Sequence, residues 1–568
     1  MHLLQLPTDI FIIIFSYVDG RDLVSCKQVC RSFRDLFKTS TQLYYKLALG
    51  RAGLVDGVFK YSMEERLKLL RQLEQNWYPH ELKPRRQLKI PYSSPCTQVE
   101  VSSGFVISGI ISRNNQYFQE LQIYRLPSYL PTLKAKLWTH RLAETHVQCF
   151  KADPVQDLLV LLETPDVVPT SYEDHRTLMM RIHLRSFASN LPHQGAALPF
   201  LRIYRSHLED HTGQLRYNYQ TFSIRIYLDI LVILAKSDRY DSDDITARLE
   251  TLIVWQWTTG QLLATLFSSP ELEFSDFTFI DRDELLITHP HSPYGPSLSI
   301  VRLISGKSYP TPTNPSTTPT KRHSQQVILQ LPEPPACASR CLDMPYIKII
   351  NDPTPCSPYP SATQDAPVPL FAPDCSPGSA MIAFSIPIVL QTSRRGSAPT
   401  LHHTLLVRVS TLRSFYSSAP KQPIEPIPFH EWSTRGVHWM SGPPGFLYGQ
   451  RYAHTSFDQG RTNVEIYDFN PSHIPPPISG WQALVKISKK STTPPITPKM
   501  SRFKSSTGCT HDYYLDCGKL VSNLRYKKQT MRGDFGGSES KCALDYERVI
   551  VLDIERGAYI LGFTSYNV

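Results

Sequence analysis

The chain has 568 residues, of which 41% are hydrophobic and 11% aromatic, so it can build a large packed core. Its formal net charge of +10 is modest for this length and argues against a nucleic-acid-binding protein. No apolar run approaches the roughly 18 residues that a membrane-spanning helix needs. The 11 cysteines, scattered in a chain without a signal peptide, predict reduced thiols and a cytoplasmic or nuclear location.

The first predicted element is a short apolar helix from Ile10 to Val18. Pro7 fits its entrance because proline lacks a backbone donor, and Asp9 suits the positive end of the helix dipole. The run from Ile10 to Phe15 is apolar on every side, which is typical of a helix buried on more than one face. A unit of about fifty residues is too small to bury it alone. Either the rest of the chain or a partner must therefore cover it.

A charged break at residues 19–22 precedes a second helical segment, which begins at Leu23. Val29-Cys30-Arg31 leads into a third segment, and we expect residues 44–49 to continue that third helix. The order of Leu-Pro, acidic residue, apolar helix, Asp-x-x-Asp-Leu, Val-Cys-Arg and an aromatic residue resembles the F-box. F-boxes are small three-helix modules that dock on the Skp adaptor of cullin-based ubiquitin ligases.

The resemblance implies a set of Skp-binding residues in this chain. The positions that match the apolar positions of the family are Leu6, Pro7, Ile10, Ile14, Phe15, Leu23, Val29 and Cys30. We assign residues 1–48 to the F-box, residues 49–85 to a helical linker and residues 86–568 to a β-rich domain.

The linker is predicted to contain one amphipathic helix, from Met63 to about Trp77. Ser62 and Glu65 have the spacing of a capping box at its start. Apolar residues recur at close to helical spacing and form one stripe, which comprises Met63, Leu67, Leu70, Leu73 and Trp77. We expect this stripe to pack the small module against the large domain.

After about residue 86, helical periodicity nearly vanishes and short strands dominate. Seven strands resemble one another and lie at residues 121–126, 179–184, 252–257, 298–303, 405–409, 464–469 and 549–554. The order of a strand, a loop, a second strand, a turn with glycine and a third strand recurs along the chain. This pattern is typical of propeller blades with loop insertions. Ile253 to Gly260 is similar to the third strand and turn of a WD-type repeat, although the Gly-His and Trp-Asp pairs of that family are absent.

The predicted fold class is therefore α+β multidomain: a three-helix F-box, a helical linker and a diverged, mostly β propeller-like domain of six to eight blades. A two-sheet sandwich or two smaller β domains are the alternatives. Loops rich in Pro, Ser and Thr are expected at about 305–326, 352–379 and 488–508. A basic segment, Lys486 to Lys504, is interpreted as a solvated loop. The alternatives are a nucleic-acid or nuclear-import patch and a contact to an acidic or phosphorylated client.

No motif in the sequence predicts catalysis or a cofactor. Phosphate loops, nucleophile elbows and His-Glu-x-x-His patterns are absent from the sequence. Cys337 and Cys341, and Cys509 with His511 and Cys517, form incomplete metal sets, so we predict no metal site. Trp432, Trp439, Phe446 and Tyr448 lie close in sequence and are expected to be core aromatics rather than a recognition surface.

The sequence thus predicts a non-enzymatic adaptor. It would bind Skp, and through Skp a cullin, by its F-box, and an unknown protein client by its β domain. It would work within an SCF-type ubiquitin ligase complex in ubiquitin-dependent degradation. One alternative is a Skp-binding scaffold that delivers no ubiquitin, and another is an enzyme built on a β-propeller.

Overall fold

The computed structural model describes residues 6–57, 61–77, 96–111, 117–127, 135–142, 145–164, 178–204, 219–237, 250–269, 271–303, 326–332, 342–343, 346–350, 370–390, 400–418, 425–442, 444–458, 461–473, 501–504, 510–513, 524, 526–532, 541–545, 548–553 and 557–562. Helices occupy the N-terminal part, and a mostly β-sheet domain follows. The helices are α1 (Thr8–Ser16), α2 (Gly20–Val29), α3 (Arg31–Thr39), α4 (Thr41–Ala52), α5 (Met63–Trp77), α6 (Val409–Ser418) and α7 (Phe429–Trp432).

The strands follow in chain order. They are β1 (Leu54–Asp56), β2 (Cys96–Ser102), β3 (Phe105–Ile111), β4 (Phe118–Arg125), β5 (Lys136–Arg141), β6 (Val147–Asp153), β7 (Leu158–Glu163), β8 (Leu178–Ser186), β9 (Phe200–Tyr204), β10 (Tyr219–Tyr227), β11 (Ile230–Ser237), β12 (Thr251–Gln256), β13 (Gln261–Phe267), β14 (Asp276–Asp281), β15 (Glu284–His289), β16 (Ser297–Arg302), β17 (Gln326–Gln330), β18 (Leu342–Asp343), β19 (Lys348–Ile349), β20 (Phe371–Pro373), β21 (Met381–Leu390), β22 (Thr400–Arg408), β23 (Val437–Ser441), β24 (Phe446–Tyr448), β25 (Arg451–Asp458), β26 (Arg461–Asp468), β27 (Ser501–Lys504), β28 (Thr510–Tyr513), β29 (Lys527–Arg532), β30 (Lys541–Leu544), β31 (Arg548–Asp553) and β32 (Gly557–Gly562).

The N-terminal unit contains one helix more than the three-helix prediction. Residues 44–49 do not continue the third helix but lie in a separate helix, α4. Ser40 breaks the chain with extended backbone angles (φ −86°, ψ 110°), and its hydroxyl accepts a hydrogen bond from the Leu43 amide at 3.4 Å. A serine in this role satisfies a free amide at the start of the new helix and so stabilises the break.

The strands of the large domain pair almost entirely with their neighbours in sequence, in antiparallel order. We name seven groups sheets A to G: β2–β5, β6–β9, β10–β13, β14–β17, β18 and β19 with β21–β23, β24–β26 with β29, and β30–β32. Sheets A and B meet where Phe118 of β4 pairs with Val147 of β6, so they form one eight-stranded network. Two small pairs, β1 with β20 and β27 with β28, lie outside these groups.

Apolar side chains join each sheet to the next one along the chain. The clusters contain, from sheet A to sheet G in turn, Phe105 with Leu161, Val160 with Ile224, Val254 with Phe277, Ile300 with Phe384, Leu406 with Tyr452, and Ile466 with Val549. A further cluster contains Ala543 and Ile550 of sheet G together with Val101 and Val106 of sheet A. The last sheet therefore packs against the first.

The strand predictions agree with the structure, because each of the seven predicted segments overlaps a strand. The turn after β12 contains Gly260 at φ 74°, a conformation that favours glycine. Two features differ from the prediction. Helix α6 interrupts the strand pattern and buries Val409, Leu412 and Tyr416, which follow helical spacing.

The second difference concerns the predicted insertions. Residues 370–373, within the expected loop at 352–379, are buried and include β20, which pairs with β1. In the basic segment, residues 501–504 form β27. The remaining residues of that segment lie outside the described part of the chain, as do residues 305–325, Cys337, Cys341, Cys509 and Cys517.

Candidate functional site

Helix α1 has one buried face and one exposed apolar face. Phe11 and Phe15 are buried inside the N-terminal unit. Ile10, Ile13 and Ile14 remain 41%, 53% and 41% exposed. Tyr17, at the end of this stripe, is 86% exposed. The spacing of these four residues places them on one side of the helix. We call them the α1 stripe.

An aromatic cluster fixes the position of the stripe. The Phe33 ring packs edge-on against Phe11 and Phe15, with ring centroids 5.3 Å and 5.1 Å apart. Phe37 packs on Phe15 at 5.2 Å. Phe15 therefore contacts two residues of α3, and edge-to-face contacts of this kind favour a single arrangement. Helix α1 is held by its aromatic face, which leaves the isoleucines on the opposite side.

The predicted Skp-binding residues divide into three groups. Pro7, Ile10, Ile14 and Val29 are exposed, and Val29 reaches 71%. Leu6 and Cys30 are half-buried, and the Cys30 sulfur accepts a hydrogen bond from the Phe33 amide at 3.5 Å.

Phe15 and Leu23 form the third group, which is buried in the core of the unit. Their packing in the core fixes the position of the exposed residues of the first group. Sequence reasoning missed Ile13 and Tyr17, although their spacing from Ile10 carried the signal.

A close helix crossing supports the far end of α1. A Cβ atom on Gly20 of α2 would lie 2.6 Å from the Gly50 Cα atom of α4, so a side chain at either position forces the backbones apart. The Lys46 ammonium group of α4 donates to the Ser16 carbonyl at the end of α1. Burial lowers the pKa of Lys46, and the nearby Asp19 carboxylate opposes that shift. Helix α4 thus anchors both α1 and α2.

Helix α4 and strand β1 also attach this unit to the β domain. Strand β1 pairs with β20, and the Asp374 amide donates to the Gly53 carbonyl at 2.9 Å. The Asn470 side-chain amide donates to the Arg51 carbonyl at 2.7 Å. These bonds satisfy carbonyl groups at the end of α4 that the helix itself leaves free. The two parts of the chain are therefore joined by direct hydrogen bonds.

Helix α5 lies in this joint, as predicted. The capping box is formed: the Ser62 amide donates to Glu65 at 2.9 Å, and the Glu65 amide donates to the Ser62 hydroxyl at 3.3 Å. The stripe residues Leu67, Leu70, Leu73 and Trp77 are buried in one cluster with residues of α4 and of sheets F and G. The prediction that the linker packs the small module against the large domain is confirmed.

Charged groups at the end of α5 complete the joint. The Arg451 guanidinium lies 4.3 Å from the centre of the Trp77 ring. His473 contacts Asp468 at 2.9 Å and Glu74 of α5 at 3.5 Å. Burial opposes protonation of His473, but these two carboxylates outweigh it and raise its pKa above the ordinary value. His473 therefore links α5 to the β domain through its contacts with these two carboxylates.

The other candidate sites do not form surfaces in the described residues. Trp432, Trp439 and Tyr448 are buried and Phe446 is half-buried, which agrees with the prediction of core aromatics. His403 lies in strand β22 and accepts a hydrogen bond from Trp439 at 3.2 Å. Within the described ranges, no group of three or more His, Cys, Asp or Glu residues could hold a metal ion. None of the helices in that part is long and apolar enough to cross a membrane.

Comparisons with solved structures give weak similarities. An endo-arabinase from Bacteroides thetaiotaomicron is 10% identical, with 56% of this chain and 87% of that chain covered and a TM-score of 0.21. An acylaminoacyl peptidase from Pyrococcus horikoshii is 8% identical, with 65% of this chain and 57% of that chain covered and a TM-score of 0.26. Scores this low carry no argument about the fold or function. No curated protein matches the chain in sequence.

A family model matches the N-terminal unit. It is described as F-box-like and covers residues 3–50, which include α1, α2, α3 and most of α4. Domains of this family generally bind Skp within Skp–cullin–F-box complexes. The exposed α1 stripe lies inside the matched segment. The chain thus carries an F-box-like domain at residues 3–50, followed by a mostly β-sheet domain.

Proposed function

We propose that this protein is the client-recruiting adaptor of a Skp–cullin–F-box ubiquitin ligase. The observation that carries the proposal is the α1 stripe, an apolar surface that the described residues leave 41% or more exposed although they bury the opposite face of the same helix. Apolar side chains lose free energy when they leave water, so such a stripe favours a partner. Skp is the partner expected for an F-box-like domain.

The proposal assigns no chemistry to the chain. Its contribution would be to hold a client near a ubiquitin-conjugating enzyme, so that an encounter between two proteins becomes a reaction within one complex. The bonded joint between α4, α5 and the β domain supports this role. Because β1 pairs with β20 and Asn470 bonds to the end of α4, the F-box-like domain has a fixed direction relative to the β domain.

For the β domain we propose a closed ring of seven sheets, which lies within the predicted range of blade numbers. The cluster of Ala543 and Ile550 with Val101 and Val106 supports closure, since it joins the last sheet to the first. Each sheet contacts the one before and after it in sequence, as propeller blades do. An electron-microscopy map of the full chain tests this arrangement, and an open row of sheets would contradict it.

The function is tested by affinity capture of the full chain from cells, followed by measurement of bound Skp and cullin. An adaptor of a ligase should retain both proteins, and substitution of the α1 stripe by serine should remove both together. Capture of Skp without cullin would instead support the scaffold alternative. Retention of Skp by the serine variant would show that the α1 stripe is not the docking surface.

A further inference from the structure

We propose that the outer part of sheet B, around Arg181 and Arg202, binds an acidic segment of a client protein. The proposal extends the client-binding role proposed above, but the site and its test involve residues far in sequence from the F-box-like domain. It rests on the pairing of β8 with β9 and on the few contacts that these two arginines make with other described residues.

The pairing places two positive charges side by side. Strands β8 and β9 are antiparallel, and Arg181 lies directly opposite Arg202. Side chains in directly opposed positions share one face of the sheet, with Cβ atoms about 5 Å apart. Like charges in such a pair repel each other and destabilise the sheet. A bound anion between or beside the two guanidinium groups would offset this repulsion.

The contacts within the chain compensate the two charges weakly. Arg181 is 48% exposed, and its guanidinium lies 3.7 Å from a Glu163 carboxylate oxygen. That same oxygen already contacts His183 at 2.8 Å. Arg202 is exposed, lies 5.0 Å from the centre of the Phe200 ring and donates to the Tyr204 hydroxyl at 3.4 Å. Among the described residues, Glu163 is the acidic residue that contacts this pair.

A third arginine extends the positive surface along β8. Arg185 follows Arg181 on the same face, about 13 Å away at the rise of an extended strand. Its guanidinium donates to the Asn190 side-chain oxygen at 3.2 Å. We call Arg181, Arg185 and Arg202 the β8–β9 arginine strip.

The spacing of the strip favours an extended acidic segment. In an extended chain, every second side chain lies on one face, so acidic residues at alternating positions would meet the strip along its length. The arginine fork can donate two parallel hydrogen bonds to one carboxylate. Glu163 beside Arg181 disfavours a doubly charged phosphate more than a single carboxylate, because repulsion increases with charge. Singly charged glutamate and aspartate side chains therefore fit best.

The test measures binding of a fluorescein-labelled peptide of alternating glutamate and serine to the purified full chain by fluorescence anisotropy. We expect binding that weakens as salt is raised, because exposed charge pairs are screened. The double variant Arg181→Gln, Arg202→Gln should bind at least tenfold more weakly. Arg282→Gln is the matched control, since Arg282 is 51% exposed but donates to the Asp229 carboxylate at 2.8 Å. It should leave peptide binding unchanged.

Equal affinity of the wild type and the double variant would overturn the proposal, as would equal binding of a peptide with lysine in place of glutamate. Preference for a single phosphoserine over the glutamate series would overturn the carboxylate assignment. Skp binding and the melting temperature of the double variant are measured in parallel and should match the wild type. A wild-type chain that binds Skp but not the peptide would overturn the strip alone, whereas a chain that binds no Skp would overturn the proposed adaptor function.

Discussion

The exposed isoleucines of α1 allow a quantitative prediction for Skp binding. Replacing Ile10, Ile13 and Ile14 together by serine should weaken the affinity of the purified chain for Skp while the β domain stays folded. Complete burial of an isoleucine side chain contributes about 1.5–3 kcal/mol. The three residues are 41%, 53% and 41% exposed, so a partner that covers them gains only the remaining part of that energy.

This remaining part is about 1 kcal/mol for each residue, or about 3 kcal/mol for the three isoleucines together. An energy of 1.4 kcal/mol corresponds to a tenfold change in affinity, so the triple variant should bind Skp roughly a hundredfold more weakly. Isothermal titration calorimetry with purified Skp measures the change directly. It also reports the heat-capacity change, which should become less negative because less apolar surface is buried.

Leu191→Ser is a suitable control, because Leu191 is equally apolar and 64% exposed but lies between β8 and β9. It should leave the Skp affinity unchanged. Thermal melts should show that each variant remains folded. A triple variant that is folded and binds Skp with less than threefold loss would refute the assignment of the α1 stripe as the docking surface.

Three further predictions concern stability. Leu70→Asp places a carboxylate at a site with 0% exposure in the joint and should cost several kcal/mol of stability, whereas Ser62→Ala removes only a cap that contributes about 1 kcal/mol. Limited proteolysis after residue 57 should therefore be fast in Leu70→Asp and nearly normal in Ser62→Ala. Equal rates in the two variants would contradict the joint. Gly50→Ala should separate α2 from α4, because its Cβ would lie 2.5 Å from the Gly20 Cα atom, and should lower the unfolding temperature of the N-terminal unit and its Skp affinity together. Burial lowers the pKa of His438 to about 4, below its ordinary value near 6.5. Its contribution to stability is therefore complete above pH 6.5, and up to about 3 kcal/mol is lost as the pH falls towards 4. In urea unfolding, the free energy of unfolding should differ less between pH 7 and pH 4.5 in His438→Phe than in the wild type, and an unchanged difference would exclude His438 as a source.

Local sequence patterns predicted the elements that depend on neighbours in the chain. The capping box at Ser62 and Glu65 needs residues only three positions apart, and it formed as predicted at the start of α5. Alternating or near-continuous apolar runs marked the strands. Their pairing partners mostly follow directly in sequence, so the order of the strands was readable as well. The F-box resemblance likewise depended on order and spacing within one short segment, and a family model covers residues 3–50 of it.

Features that depend on distant residues were missed. Residues 370–373 belong to an expected loop, yet they are buried because β20 pairs with β1, more than three hundred residues earlier. Helix α6 went unrecognised because its apolar residues, such as Leu412, pack on sheet E rather than within their own segment. Local propensity is a weak guide where tertiary contacts supply most of the burial.

The sequence by itself determined that α1 is apolar on all sides, and so that something besides its own small unit must cover it. Only the tertiary structure decided which side of α1 is buried within the unit and which side is left for a partner. Phe33 of α3 packs edge-to-face against Phe11 and Phe15, and Phe37 packs tilted on Phe15, since aromatic rings bury the most area. The isoleucines are thereby left on the outer face. The pairing of Arg181 with Arg202 is likewise a consequence of strand register, because residues 21 positions apart in sequence become neighbours only when β8 and β9 form a sheet.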